Sequence, residues 1–293
     1  MSWLQIHFQL PGEVLEQVEE FLEALGALSV TLRDAEDEPL FEPPPGTLPM
    51  WGEVRIQALF AADTDAEALR QALTHQMGQP PAQWRTEMLE DQAWERTWME
   101  QFEPMQFGKR LWIVPSWHEP PDPQAINLML DPGLAFGTGT HPTTALCLEW
   151  LDAHPPQGKK VLDFGCGSGV LALAAARLAA DRVTGVDIDS QALLASRENF
   201  QRNRVNDDSL TLLFPEDLPE ASRFDLVIAN ILAGPLMELA GKLTSHLRPG
   251  GEIILSGILE EQSQVVVAAY EPEVQFAETR SREGWVCLHG KRK

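Results

Sequence analysis

Cysteine is scarce and scattered. Cys147, Cys166 and Cys287 are odd in number, far apart, and form no CxxC pair or Cys/His cluster. That excludes a disulfide scaffold and a structural zinc site, and fits a reduced chain in the cytoplasm. Long apolar runs are missing too; none approaches the roughly 20 residues a membrane helix needs. The opening MSWLQIHFQLPGEV lacks the basic start and apolar core of a secretory signal, so none is expected. Basic side chains are few, 22 Lys and Arg against 44 Asp and Glu, for a net charge of −22. Phosphates demand Lys and Arg, so direct nucleic-acid binding is not expected. The deficit is uneven. Residues 1–100 hold 5 basic and 19 acidic side chains, while residues 101–293 hold 17 and 25. An acidic surface serves solubility; it also steers a strongly basic partner.

What is present is enough for two domains: 293 residues, 44% of them hydrophobic. Over residues 1–90 the apolar pattern reads strand, helix, strand, strand, helix, strand, the ferredoxin-like order. Trp3 to Leu10 alternates; Val14 to Leu25 is helical and stops at Gly26; Leu28 to Leu32 is a strand. A proline-rich loop follows, then strand Val54 to Phe60, helix Asp65 to Met77 and strand Trp84 to Leu89. This domain holds no catalytic constellation and is expected to recognise a substrate. Residues 91–106 are expected to link the domains through a helix over 91–103, with Trp94 and Trp98 on one face.

Residues 107–293 are organised around VLDFGCGSGVLALAAA at 161–176. A short apolar strand, a glycine turn and a run of strong helix formers succeed one another. Glycines let the backbone bend tightly, and the helix behind them points unpaired N–H groups over the turn. Dinucleotide sites space their glycines G-x-G-x-x-G. Here Gly165, Gly167 and Gly169 are spaced G-x-G-x-G, and Val170 stands where the third glycine of that fingerprint belongs. Asp163, two residues before Gly165, would repel a pyrophosphate and favour an ammonium group. Asp187 ends the next strand, 24 residues beyond Asp163, where an acid accepts from ribose hydroxyls. S-adenosylmethionine carries an α-amine, a sulfonium and no phosphate, and is the expected ligand. An NAD-dependent oxidoreductase and a non-catalytic binding protein are the alternatives from other classes.

Three further features cluster on this turn. The segment 131–144 is rich in glycine and threonine and reads as a lid, with Phe136 its one large ring. Thr144, in the first turn of the next helix, can reach a ligand carboxylate or amine; His141 beside Pro142 reads as structural. Asn230 ends the fourth strand and should face the same crevice as Gly165 and Asp187. The strands continue to a closing hairpin at Val274 to Thr279 and Trp285 to His289. Seven strands with the last pair antiparallel make the methyltransferase variant of the doubly wound, Rossmann-like α/β sheet. No paired carboxylate or His/Asp arrangement demands a dedicated base.

LDPGLAFGTGTHPTT, VLDFGCGSGVLALAA, GVDID and IANILAGPL together resemble the PrmA family, the bacterial ribosomal protein L11 methyltransferases. WLQI near the start and DQAWERTWMEQFEPMQFGKRLWIVPSW extend the resemblance over essentially the whole chain. It implies S-adenosylmethionine contacts at Thr144, Gly165, Asp187 and Asn230. It implies methylation of the N-terminal α-amine and lysine ε-amines of that large-subunit ribosomal protein, several methyls per amine, with the first domain holding the substrate. A monomer without metal, membrane or nucleic-acid contact is expected, with Asn230 the catalytic candidate.

Overall fold

The computed structural model describes residues 2–35, 52–90, 102–131 and 141–293. The chain divides into two compact units, Met1–Met99 and Glu100–Lys293.

In the first unit, strand β1 (Ser2–Pro11) buries Leu4, Ile6, Phe8 and Leu10 and leaves Trp3, Gln5, His7 and Gln9 half-buried on its other face. Helix α1 (Leu15–Ala24) lays Leu15, Val18 and Leu22 into the same core and stops at Gly26, whose φ of +92° suits a residue without Cβ. Strands β2 (Ser29–Asp34) and β3 (Glu53–Ala61) follow, then helix α2 (Ala66–Met77). The carboxylate of Asp65 caps α2 by accepting from the N–H groups of Glu67 and Ala68. Strand β4 (Ala82–Glu90) closes the unit. The sheet order is β2-β3-β1-β4 with every neighbouring pair antiparallel. β3 is inserted between β1 and β2, and β1 between β3 and β4, as in a ferredoxin-like fold.

The second unit opens with a small sheet of β5 (Met105–Phe107), β6 (Leu111–Val114) and β7 (Ile126–Met129) in that order. β5 was not anticipated; three residues are too few to show a period of two. Then come α3 (Pro142–Ala153), β8 (Lys160–Phe164), α4 (Val170–Arg177), β9 (Arg182–Val186), α5 (Ser190–Arg202) and β10 (Leu210–Leu213). β11 (Phe224–Asn230), α6 (Ala233–Glu238), α7 (Ala240–Ser245), β12 (Leu247–Leu259), α8 (Ser263–Tyr270), β13 (Val274–Arg282) and β14 (Trp285–Arg292) complete it. The seven strands run β10-β9-β8-β11-β12-β14-β13; the first five are parallel and β14 is antiparallel to both neighbours. Both faces are covered, so the middles of the central strands read as near-continuous apolar runs. Val161, Leu226, Ile228 and Ile254 pack toward α3 and α4, while Leu162, Val227, Ala229, Ile253 and Leu255 pack toward α6, α7 and α8. The turn-like sequence Arg248-Pro-Gly-Gly251 lies inside β12 as a bulge. Phe224 pairs with Leu247 and Leu226 with Glu252, so the extra residues loop out between them. Cys147, Cys166 and Cys287 are all buried thiols of this unit. The helix expected over 91–103 falls, through residue 101, outside the described residues.

Candidate functional site

β8 ends in Asp163 and Phe164, and the chain then turns through Gly165 at φ +76° to Gly169 at φ +75°, the N-cap of α4. Both positions need glycine twice over. The backbone is left-handed, and a methyl would meet the Ile231 side chain at 165 and the Ser196 hydroxyl at 169. The turn is tied to β9 by the N–H groups of Gly165 and Cys166, which donate to the Val186 carbonyl at 2.7 and 3.0 Å. Asp187 finishes that tie: Oδ2 accepts from Gly167 N–H at 2.8 Å and Oδ1 from Asp189 N–H at 3.0 Å. A carboxylate has about four acceptor positions, so two backbone bonds orient Asp187 without exhausting it.

Helix α5 holds the turn from behind with residues the sequence reading passed over. Ser196 Oγ donates to the Gly167 carbonyl and Asn199 Nδ2 to the Ser168 carbonyl, both at 2.9 Å and both from buried side chains. Four residues on, buried Asn203 accepts from Met129 N–H at 2.7 Å and donates to Met129 C=O at 2.8 Å. The available signal was three small polar residues at helical spacing on a helix that must face the sheet.

Asp163 is only 1% exposed. Its Oδ2 accepts from Ala172 N–H at 2.9 Å and so caps α4, while Oδ1 is buried with no partner among the described residues. Burial pushes this carboxyl up to about 7, against the Ala172 hydrogen bond and with some help from the charge of Asp187. An unmatched buried oxygen costs on the order of 1–3 kcal/mol.

Asn230 is the last residue of β11, half-buried, and its Nδ2 donates to Thr144 Oγ1 at 3.2 Å. Thr144 is buried in the first turn of α3. His141 caps that helix: its Nδ1 lies 2.8 Å from Thr143 Oγ1, and its ring meets Trp285 edge-on at 4.9 Å. This is the structural role expected of it. On the far side of Asn230, Gly257 at φ +85° packs so closely on Ile231 that a methyl would run into that residue's backbone.

In register, Val186, Phe164 and Ala229 are neighbours across β9, β8 and β11. The next residues, Asp187, Gly165 and Asn230, therefore stand side by side at the carboxyl ends of three adjacent parallel strands. Thr144 joins them through Asn230. Gly167 joins through Asp187, and Asp163 lies within β8, two residues before the bend. Ile188, beside Asp187, is 85% exposed, an apolar side chain at the strand ends that the sequence reading did not single out. Phe136 and the rest of the expected lid, 132–140, lie outside the described residues. Among the described residues no group of His, Cys, Asp or Glu could hold a metal. The arrangement is a backbone cradle flanked by two carboxylates, suited to a cationic ligand without phosphate.

A family model described as "Ribosomal protein L11 methyltransferase (PrmA)" matches residues 2–293. A relative from Azotobacter vinelandii named ribosomal protein L11 methyltransferase is 54% identical over 293 residues, covering 100% of both chains. One of the same name from Pseudomonas aeruginosa is 53% identical, covering 100% of this chain and 99% of the other. Among solved structures, a ribosomal protein L11 methylase from Lactobacillus delbrueckii subsp. bulgaricus superposes with a TM-score of 0.60 at 33% identity. It covers 66% of this chain and 100% of that one. The chain belongs to the ribosomal protein L11 methyltransferase (PrmA) family, a family of S-adenosylmethionine-dependent protein methyltransferases.

Proposed function

We propose that this chain transfers methyl groups from S-adenosylmethionine to the N-terminal α-amine and lysine ε-amines of ribosomal protein L11. The observation that carries the site assignment is the side-by-side row of Asp187, Gly165 and Asn230 at the carboxyl ends of β9, β8 and β11. The residues present suit the donor. The bend carries no Cβ at its left-handed positions 165 and 169, where Ile231 and Ser196 already pack, and so presents bare backbone at the strand ends. The unmatched, buried Oδ1 of Asp163 favours a cationic group. Gly165, Gly167, Asp163, Asp187, Thr144 and Asn230 would hold the nucleoside and amino-acid portions, and Phe136 would cover them. Ile188 offers an apolar face to the base.

The bound donor supplies a methyl group on a sulfonium, a leaving group good enough that the chain need only position and desolvate the acceptor. A lysine amine is protonated in water, with a pKa of about 10.4, and must lose that proton before it attacks. No described side chain at the site is arranged as a dedicated base. The Asn230 side-chain oxygen, with nearby backbone carbonyls, orients the neutral amine, and bulk water takes the proton.

The first unit holds the substrate protein, the enzyme acts as a cytoplasmic monomer, and it binds no nucleic acid. The 5-to-19 imbalance of residues 1–100 supports attraction of a lysine-rich partner. Association should weaken with added salt, since exposed charges are screened within about 10 Å at 0.1 M. Free ribosomal protein should be preferred over assembled particles, whose RNA repels a chain of charge −22; equal rates on both would contradict this. The deciding experiment incubates the full chain with methyl-labelled donor and ribosomal protein L11 and maps the label by mass spectrometry. Label on the terminal and lysine amines is expected; none on the protein would overturn the reading.

A further inference from the structure

The acidic first unit places most of its few cations on one surface. Residues 1–100 contain five arginines and no lysine. Three of them, Arg33 on β2, Arg55 on β3 and Arg85 on β4, project from the sheet face that α1 and α2 leave uncovered. Register fixes this. Arg33 is directly opposite Arg55, Arg55 is opposite Gln9, and His7 two residues along is flanked by Gln57 and Arg85. All three arginines are exposed, and none pairs with a carboxylate among the described residues. They surround His7, whose pKa is lowered first by burial and then by Arg85, with Glu87 opposing and Arg33 and Arg55 adding to the fall. Glu53 and Glu87 share the face, one row to either side of the arginines. Helix α1, which carries Glu19 and Glu23, lies by contrast on the layer behind the sheet.

Like charges directly opposite on neighbouring strands are destabilising. The Arg33/Arg55 pair thus works against the fold in a unit with acids to spare, unless an anion arrives to bridge it. Guanidinium forks match carboxylates with two parallel hydrogen bonds. The face also carries Gln5, Gln9, Gln57 and Thr31, amides and a hydroxyl suited to a peptide, with Trp3, Leu59 and Leu89 toward its other end. A polynucleotide fits less well, because its extended charge would meet the −22 of the whole chain, whereas a short acidic segment needs only local compensation.

We propose that this open sheet face docks a carboxylate-bearing segment of the protein substrate, with Arg33, Arg55 and Arg85 gripping its acids. This rests on the reading of the chain as a protein methyltransferase. The acidic helix α1 behind and the arginines in front would then engage basic and acidic parts of one substrate, and so orient it.

The test combines Arg33→Gln with Arg55→Gln in the full chain. The KM for ribosomal protein L11 should rise about tenfold, with kcat within twofold and donor affinity by calorimetry unchanged. The melting temperature should hold or rise, because the repelling pair is gone; a purely structural pair would lower it and move kcat and KM together. Arg55→Lys alone should recover only part of the binding, keeping the charge without the fork. Calorimetric binding of ribosomal protein L11 needs no turnover. If the parent chain binds that protein without methylating it, the methylation reading fails while the docking face is still judged by the variant's affinity. Unchanged affinity overturns the docking face. So does a single-stranded RNA oligomer that displaces the protein from the parent chain and not from the double variant.

Discussion

The two ends of the seven-stranded sheet are built from similar residues and do opposite things. At the amino ends of its parallel strands, charges satisfy one another. Glu252 takes Lys159 at 2.5 Å and Lys291 at 3.8 Å and lies 3.4 Å from His289 Nε2, a nitrogen without a hydrogen-bond partner among the described residues, and Asp225 takes the Lys160 N–H and Arg248. The His289 contact, then the Lys159 contact, draws the Glu252 carboxyl down to about 2 against the pull of burial. At the carboxyl ends, Asp163 keeps an oxygen without a partner among the described residues, Asp187 and Asn230 are oriented but not saturated, and Ile188 is exposed. Saturated polar groups hold a fold together; groups that are aimed and left short of partners are available to a ligand. Mutations at the two ends should therefore separate cleanly.

The largest effect is expected at Asn230. Asn230→Ala should lower kcat by about a hundredfold in a labelled-methyl assay, while stability falls by only ~1 kcal/mol for the lost bond to Thr144. Unchanged turnover would remove Asn230 from the mechanism. Next, Asp187→Asn should weaken donor binding by roughly 10- to 150-fold, the equivalent of ~1.5–3 kcal/mol for a charged acceptor, as read by calorimetry.

Asp163→Asn sharpens the contrast because stability and binding should move apart. With a folded pKa of about 7, above the roughly 3.9 of a free aspartate, the carboxyl contributes stability below pH 4 that is lost as pH rises to 7. At pH 8 the ligand-free variant should melt at or above the parent temperature, and donor affinity should drop several-fold. A variant that melts lower and binds normally would assign Asp163 to the fold alone. The smallest effect on catalysis is expected at the other end of the sheet. Glu252→Gln should leave kcat/KM within twofold and cost ~2 kcal/mol of stability at pH 7. The parent's contribution from Glu252 is complete above about pH 4.3 and fades as pH falls toward 2, so the two proteins should converge in acid. Loss of activity there would break the distinction between the ends.

Much of this was legible beforehand wherever local chemistry suffices. The bend at Gly165–Gly169 needs only a left-handed backbone and a following helix, and both show in the residues themselves. Asp187 and Asn230 were placed because a strand's last residue lies at its carboxyl end in any parallel sheet. What stayed hidden depends on distant partners. That Asp163 caps α4 through Ala172 follows only when the bend has brought α4 back over β8, and that Ser196 and Asn199 clamp the turn's carbonyls only when α5 is folded against it. Arg33, Arg55 and Arg85 are far apart in the chain, and only strand register gathers them around His7. The bulge in β12 reads locally as a turn, because pairing with β11 on both sides of it is invisible from four residues.

The buried thiols give the molecule a clock. Cys147, Cys166 and Cys287 all belong to the second unit; the neighbouring Cys287 thiol and then burial raise Cys147 well above the usual thiol range, and burial does the same to Cys166. The thiolate is what attacks an alkylating reagent, so labelling has to wait until the protein opens. Since residues 1–99 contain no cysteine, the reaction times the opening of the second unit alone. Cys166 sits within the bend itself, and its labelling should slow most when donor occupies the cradle.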